Sequence, residues 1–339
     1  MEEKTNMFEA KNFRNDSLAR WCPGCGDHAV LATLVKAMAE VGVAPHKTAV
    51  ISGIGCSSRL PYYMNTYGFH TVHGRGAAVA TGVKTANPDL SVWLATGDGD
   101  SLAIGGNHFI HALRRNIDLN IVLFNNRIYG LTKGQYSPTS ARGFVSKSSP
   151  YGTVEDPFVP AELAMGARGN FFARAIDVDM KNLQACMVAS ARHKGAAVTE
   201  VLVNCVIFNN GIHKNITDKE VRDEKTILLK HGEKMIFGKD RNKGLVLDGW
   251  KIKVVTIGED GYTMDDILVH DAHEKSDILH TMLAMMDGEE LPLALGVIRD
   301  VDSPTYDWAV AQQIEDVKAQ KPARTLQDLL DKEPYWEVK

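Results

Sequence analysis

Ser91-Val92-Trp93-Leu94-Ala95-Thr96-Gly97-Asp98-Gly99-Asp100 and Asn120-Ile121-Val122-Leu123-Phe124-Asn125-Asn126-Arg127-Ile128-Tyr129-Gly130 are two apolar runs, each followed at once by glycine and polar residues. Short continuous runs of this kind read as parallel strands buried on both faces. Between them, residues 102–116 carry apolar side chains at helical spacing. A strand–helix–strand unit brings both strand ends to one edge of a parallel sheet, and ligands of open α/β folds bind at that edge. Asp98 and Asn126, 28 positions apart, can therefore approach one small ion together. Magnesium takes near-octahedral oxygen ligands and accepts few from protein when phosphates supply the others. Asp98 offers a carboxylate, Asn126 a side-chain carbonyl and Ile128 a backbone carbonyl. Gly97 and Gly99 let a phosphate approach the backbone, and the N-terminus of the following helix favours an anion. A Gly-Asp-Gly turn alone is common; the asparagine after the second strand makes the pair a metal–diphosphate clamp.

The alternation continues outward. Residues 27–41 have helical spacing, residues 48–54 form a β-branched strand running into Gly55-Cys56-Ser57-Ser58-Arg59, and residues 74–84 form a helix of small residues. Residues 129–159 are rich in Gly, Ser, Pro and Thr without periodicity, too long for an idle connection and read as a binding loop or lid. Residues 172–176 and 197–203 are strands around a helix over 180–193. This pattern predicts an α/β fold, a doubly wound parallel sheet. From Gly211 the character changes, with charged residues filling 214–243 and weak alternation beyond. Residues 1–210 are expected to form the core and residues 211–339 a C-terminal extension. The tail, Tyr335-Trp336-Glu337-Val338-Lys339, is expected to wrap the core or a partner.

At 339 residues the chain has room for one doubly wound domain and an appendage, not for two such domains. A net charge of −4 provides no basic surface for nucleic acid or membrane. The first twenty residues lack the apolar core of a signal peptide and no run approaches a bilayer's thickness, so the chain reads as cytoplasmic. Five cysteines in such a compartment do not make a disulfide framework. Cys22 and Cys25 form a C-x-x-C, which delivers two thiolates from one turn to zinc or to an iron–sulfur cluster; the spacing does not separate these. Cys56 follows a strand and so also ends at the sheet edge, while Cys186 falls mid-helix among apolar residues, as a core thiol does. Asp27 and His28 read as a helix N-cap and a solvated neighbour.

Gly97-Asp98-Gly99 with Asn126 resembles the thiamine-diphosphate signature. More specifically, Gly97-Asp98-Gly99-Asp100-Ser101-Leu102-Ala103-Ile104-Gly105-Gly106-Asn107-His108 and Asn125-Asn126-Arg127-Ile128-Tyr129-Gly130-Leu131-Thr132-Lys133-Gly134-Gln135 resemble the β subunit of 2-oxoacid:ferredoxin oxidoreductases. Trp21-Cys22-Pro23-Gly24-Cys25-Gly26 and His70-Thr71-Val72-His73-Gly74-Arg75-Gly76 resemble the same family, in consistent order over roughly residues 15–210. The resemblance implies a sheet of the thiamine-diphosphate-binding type. It implies coenzyme contacts from Gly55, Cys56, Ser57, His73, Gly97, Asp98, Gly99, Asp100, Asn126, Ile128, Leu131 and Thr132, with Mg2+ on Asp98, Asn126 and Ile128. It implies one [4Fe–4S] cluster on Cys22, Cys25, Cys56 and Cys205.

Arg59 and Lys133 are the candidate substrate cations. A 2-oxo acid with a distal carboxylate needs a second cation and pyruvate does not. Lysine in Leu131-Thr132-Lys133-Gly134-Gln135 resembles the members that take the longer acid, 2-oxoglutarate. The implied activity is oxidative decarboxylation of that acid with coenzyme A to succinyl-CoA and CO2, reducing ferredoxin, with no single side chain of this chain as acid or base. A separate α subunit would complete the coenzyme site in an αβ or (αβ)2 assembly, leaving residues 211–339 for subunit contact and cluster shielding. Three alternatives stay open: pyruvate as substrate, a non-redox thiamine enzyme with a zinc site, and a non-catalytic metal-stapled interaction module.

Overall fold

The computed structural model describes residues 8–320, 325–332 and Trp336. The expected wrapping tail falls, apart from the exposed Trp336, outside the described residues. The strands are β1 Thr48–Ser52, β2 Tyr67–His70, β3 Ser91–Gly97, β4 Leu119–Asn125, β5 Phe171–Ile176, β6 Ala196–Leu202, β7 Thr226–Leu229, β8 Ile236–Phe237, β9 Lys243–Asp248, β10 Lys251–Thr256 and β11 Leu293–Asp300. The helices of the main body are α1 Asp27–Val41, α2 Gly76–Ala86, α3 Asp98–Leu102, α4 Gly106–Arg114, α5 Pro160–Gly166 and α6 Met180–Arg192. Among the described residues they build an eight-stranded sheet of order β2-β1-β3-β4-β6-β5-β11-β7 and a three-stranded sheet of order β10-β9-β8. In the large sheet only β5 and β11 pair antiparallel. The expected doubly wound α/β fold is present.

Its two faces explain the continuous apolar runs. Side chains alternate across a strand, so Trp93, Ala95, Val122 and Phe124 enter the core layer shared with α1 and α6. Val92, Leu94, Ile121 and Leu123 enter the opposite layer, shared with α2, α4 and α5. A strand covered on both sides has no solvent face on which polar residues would be favoured. Helix α1 buries Val30, Leu31, Leu34, Val35 and Met38 on one stripe and ends at Gly42, whose φ of 79° allows its amide to reach the Met38 carbonyl.

The helix expected over 102–116 is two helices, α3 and α4. Chain leaving β3 turns helical at once, and the Gly105-Gly106 pair, poor in a helix interior, marks the break. Residues beyond 211 supply β7 and β11 to the main sheet and all of the small sheet. Because β1, β3, β4 and β6 run parallel, residues 53–59, 97–100, 125–130 and 203–205 all leave the sheet at one edge. No helix among the described residues is long and apolar enough to cross a membrane.

Phe109 on α4 is fully buried in the layer that backs this edge. Phe109→Ala is expected to lower stability by about 3–5 kcal/mol in chemical denaturation. A loss below about 0.5 kcal/mol, the level of a surface change, would contradict the packing described.

Candidate active site

Asp100 is buried and its carboxylate takes four hydrogen bonds. Oδ1 accepts from the Ile54 amide at 3.0 Å, the Gly74 amide at 2.8 Å and His73 Nδ1 at 2.7 Å, and Oδ2 accepts from Thr96 Oγ1 at 2.9 Å. One side chain thus ties the ends of β1 and β3 to the loop before α2. There is no room for anything larger than glycine at position 53, where a Cβ would stand 1.7 Å from Asp100 Oδ2. With Nδ1 committed to Asp100, His73 keeps Nε2 as its free ring nitrogen.

These loops enclose a cavity of about 250 Å3. Gly55, Cys56, Ser57, His73, Gly97, Asp98, Gly99, Asp100, Asn126, Ile128, Leu131 and Thr132 all line it, so the structure brings every expected coenzyme residue to one place. Asp98 is 2% exposed, and its Oδ2 accepts from Ser137 Oγ at 2.5 Å and Thr139 Oγ1 at 2.6 Å. Burial raises its carboxyl above the usual range, against the pull of those hydroxyls and of nearby amides. Asn126 Oδ1 accepts from the Ile128 amide at 3.1 Å, which fixes the side chain and leaves a lone pair on the carbonyl. A carboxylate, an amide carbonyl and a backbone carbonyl beside two glycines suit a small hard cation carrying phosphate.

Tyr129 donates to the Gly99 carbonyl at 2.8 Å, and its ring fills the space where a Gly99 Cβ would stand, 2.1 Å from a ring carbon. Burial, then Asp98 and Asp100, push its hydroxyl up to about 12, so it stays a donor at neutral pH. Of the long loop over 129–159, the inner part docks on the clamp: Ser137, Thr139 and Ser140 are buried and Ser140 Oγ donates to the Arg127 carbonyl at 2.7 Å. Its outer part, around Tyr151, lies open to solvent.

A second cavity of about 160 Å3 is lined by Cys22, Cys25, Cys56 and Cys205. It shares Cys56, Asn126, Gly130 and Leu131 with the first. The C-x-x-C turn closes through a Cys25 amide to Cys22 carbonyl bond and is tied to the end of β6 by Gly26. Asn209, four residues past Cys205, donates to the Asn126 and Arg127 carbonyls at 3.0 and 3.2 Å, so the cysteine loop and the clamp loop brace each other. A Cβ on Gly130 would lie 3.5 Å from Cys205 Sγ and 3.7 Å from Cys56 Sγ. Burial pushes the Cys56 thiol up to about 11 and raises Cys25 further, the opposite of a reactive nucleophile. Among the described residues no three His, Cys, Asp or Glu side chains converge on a single ion. Four thiols lining one cavity are a donor set for zinc or for an iron–sulfur cluster. Cys186 is a core thiol on α6, 1% exposed.

Neither Arg59 nor Lys133 lines the coenzyme cavity. Arg59 lines the cysteine cavity and donates from Nη1 to the Arg20 carbonyl at 2.9 Å. Lys133 stands exposed in a turn at φ 78°, next to the cavity residue Thr132. Asp27 is the first residue of α1, with Gly26 as cap, and so is not the N-cap expected. It is 2% exposed, lines the coenzyme cavity, leaves Oδ2 without a partner and is pushed up to about 7 by burial. A signal for it existed, because Asp27 falls on the Val30, Leu31, Leu34 stripe of α1. Ser137, Thr139 and Asn209 had none, as lone polar residues in aperiodic segments.

Residues 53–201, from the end of β1 into β6, match the family of thiamine pyrophosphate enzymes, C-terminal TPP binding domain. Match and site together define a thiamine-diphosphate-binding domain. The chain is 46% identical over 333 residues to the 2-oxoglutarate oxidoreductase subunit KorB of Mycobacterium tuberculosis, covering 97% of this chain and 88% of that one. It is 47% identical over 199 residues to subunit beta of 2-oxoacid:ferredoxin oxidoreductase 1 of Aeropyrum pernix, covering 59% and 63%. Among solved structures it superposes on the 2-oxoglutarate:ferredoxin oxidoreductase from Magnetococcus marinus, determined with 2-oxoglutarate, coenzyme A and succinyl-CoA bound, with a TM-score of 0.77, 31% identity and 98% of each chain covered. The chain belongs to the β-subunit family of the 2-oxoacid:ferredoxin oxidoreductases, as its motifs lead one to expect, and is one subunit of a multi-subunit oxidoreductase.

Gly99→Ala is expected to push the Tyr129 ring out of the cavity wall and to weaken thiamine diphosphate binding by at least about tenfold, one to three hydrogen-bond equivalents. Adding Tyr129→Ala should recover part of that affinity in a coenzyme titration. A double variant no better than Gly99→Ala would show that the ring is not the obstacle.

Proposed function

We propose that the cavity at the sheet edge holds thiamine diphosphate with Mg2+, that Cys22, Cys25, Cys56 and Cys205 hold one [4Fe–4S] cluster, and that the assembled enzyme oxidises 2-oxoglutarate with coenzyme A to succinyl-CoA and CO2, reducing ferredoxin. The observation that carries this reading is the shared wall, in which Cys56, Asn126, Gly130 and Leu131 face both cavities. When bound, the two groups would supply carbanion stabilisation and one-electron acceptance. The chain's own residues bind and orient. Asp98, Asn126 and the Ile128 carbonyl would hold the ion, Gly97 and Gly99 leave the diphosphate space, and Asp100 fixes His73 over the cavity. Chain contribution is therefore positioning and electron egress, not a single acid or base.

Lys133, one residue past the cavity wall, supports a substrate with a distal carboxylate, and Arg59 offers a second cation on the cysteine side. The names of the Mycobacterium and Magnetococcus relatives support 2-oxoglutarate over pyruvate. One doubly wound domain supplies half of a thiamine site, so an α subunit completes it in αβ or (αβ)2. The helix Tyr306–Gln320 shows Trp308, Ile314 and Val317 to solvent, which supports subunit contact for residues 211–339, beside their proposed shielding of the cluster. Unpaired thiols fit a reducing, cytoplasmic setting.

Anaerobically purified enzyme is expected to contain iron and acid-labile sulfide and to absorb in the visible. Cys205→Ser should lose the signal while Cys186→Ser keeps it; zinc in place of iron would overturn the cluster. Lys133→Ala is expected to lower kcat/KM for 2-oxoglutarate relative to pyruvate by about 10- to 100-fold, the range of a charge-assisted hydrogen bond. An unchanged ratio in both Lys133→Ala and Arg59→Ala would remove the substrate assignment.

A further inference from the structure

Asp98 is held from outside its own strand and helix. Ser137 Oγ and Thr139 Oγ1 both reach its Oδ2, at 2.5 and 2.6 Å, and no side-chain donor meets Oδ1 among the described residues. Thr139 has one hydroxyl proton, which it shares between Asp98 Oδ2 and Asn125 Oδ1, the latter at 3.0 Å. Asn125 is oriented in turn, since its Nδ2 donates to Glu200 Oε1 at 2.8 Å. Glu200 Oε2 accepts from Arg174 Nε at 2.7 Å, across directly paired positions of β5 and β6. Arg174 Nη2 finally donates to the Ala284 carbonyl at 3.1 Å. All six side chains from Asp98 to Arg174 are at most 3% exposed, so no bulk water competes for these bonds.

A buried ion pair is weak evidence for stability, because desolvation offsets its attraction. This one stands at the far end of a polar chain that stops on a single carboxylate oxygen. We propose that Ser137 and Thr139 are positioning residues for the Asp98 carboxylate, and that Asn125, set by the Glu200–Arg174 pair, competes with Asp98 for the Thr139 proton. The proposal rests on the reading of Asp98 as an ion ligand. Two hydroxyls on Oδ2 stop the carboxylate from rotating and leave Oδ1 for the ion. Partners behind a metal ligand typically change metal affinity by about 10- to 100-fold. The chain ends on the helix Ile278–Ala284, so residues past 211 brace the clamp.

The test uses the assembled enzyme stripped of Mg2+ and coenzyme with a chelator. Mg2+ is titrated at saturating thiamine diphosphate and coenzyme binding is followed by calorimetry. Thr139→Val keeps the shape and removes the proton; it should raise half-saturating Mg2+ by about 10- to 100-fold. Thr139→Ser should restore it, and the stripped proteins should melt at the same temperature. Asn125→Leu removes the competing acceptor and should not raise half-saturating Mg2+, and combined with Thr139→Val it should titrate as Thr139→Val alone, because Asn125 reaches Asp98 only through the Thr139 proton. Wild-type titration by Thr139→Val beside a damaged Asp98→Asn would overturn the proposal, as would single effects that multiply in the double variant. Wild-type titration by Asp98→Asn would instead overturn the clamp reading itself.

Discussion

The position of the whole site depends on one buried carboxylate. Asp100 gathers four donors from three segments, and ties the loop before α2, which no strand pairing holds, to the paired ends of β1 and β3. Removing that carboxylate would leave its donors unsatisfied, and a buried unsatisfied donor costs about 1–3 kcal/mol. Asp98 lies two residues earlier on the same helical turn, about 200° away around the axis. The Gly-Asp-Gly-Asp motif thereby separates two duties. One acid points back and fastens the loops, while the other faces the cavity and the loop from Tyr129 onward.

Topology explains why thiols from three distant segments sit beside that cavity. Cys56 follows β1 and Cys205 follows β6, and both strands run parallel to the clamp strands β3 and β4. The C-x-x-C turn is brought to the same edge by α1, which starts directly after it, and by the Gly26 bond to the chain beyond β6. A parallel sheet collects chemistry from remote sequence at one edge, and here it collects two kinds side by side. Gly130 belongs to both walls, a residue with only hydrogen where a side chain would touch two sulfurs.

Much of this was legible in the residues. Helix α1 begins and ends where its apolar spacing does, and β3 and β4 extend the quoted runs by a residue or so. Helix α1 is buried on one stripe and β3 and β4 on both faces, so burial writes itself into the sequence as a period or as a continuous run. Strand β2 is exposed and has no alternation to read, whereas β11 falls on the uncharged apolar run Leu293-Ala294-Leu295-Gly296-Val297-Ile298, a signal like those of β3 and β4. The clamp ligands announced themselves through glycine and strand-end placement. Ser137 and Thr139 did not, because a hydroxyl that serves a distant carboxylate is written like any loop hydroxyl. Nor could spacing tell that Arg59 turns towards the cysteines while Lys133 stands in a solvent turn.

Strand β2 has a cost of its own. Among the described residues it ends the large sheet, pairs only with β1 and shows Tyr67 and Phe69 to solvent, 63% and 57% exposed. An uncovered edge with aromatic side chains is a template for another strand. Pairing of one β2 with another would rise with concentration, so that edge makes the solubility of the isolated chain a matter of how much of it is present.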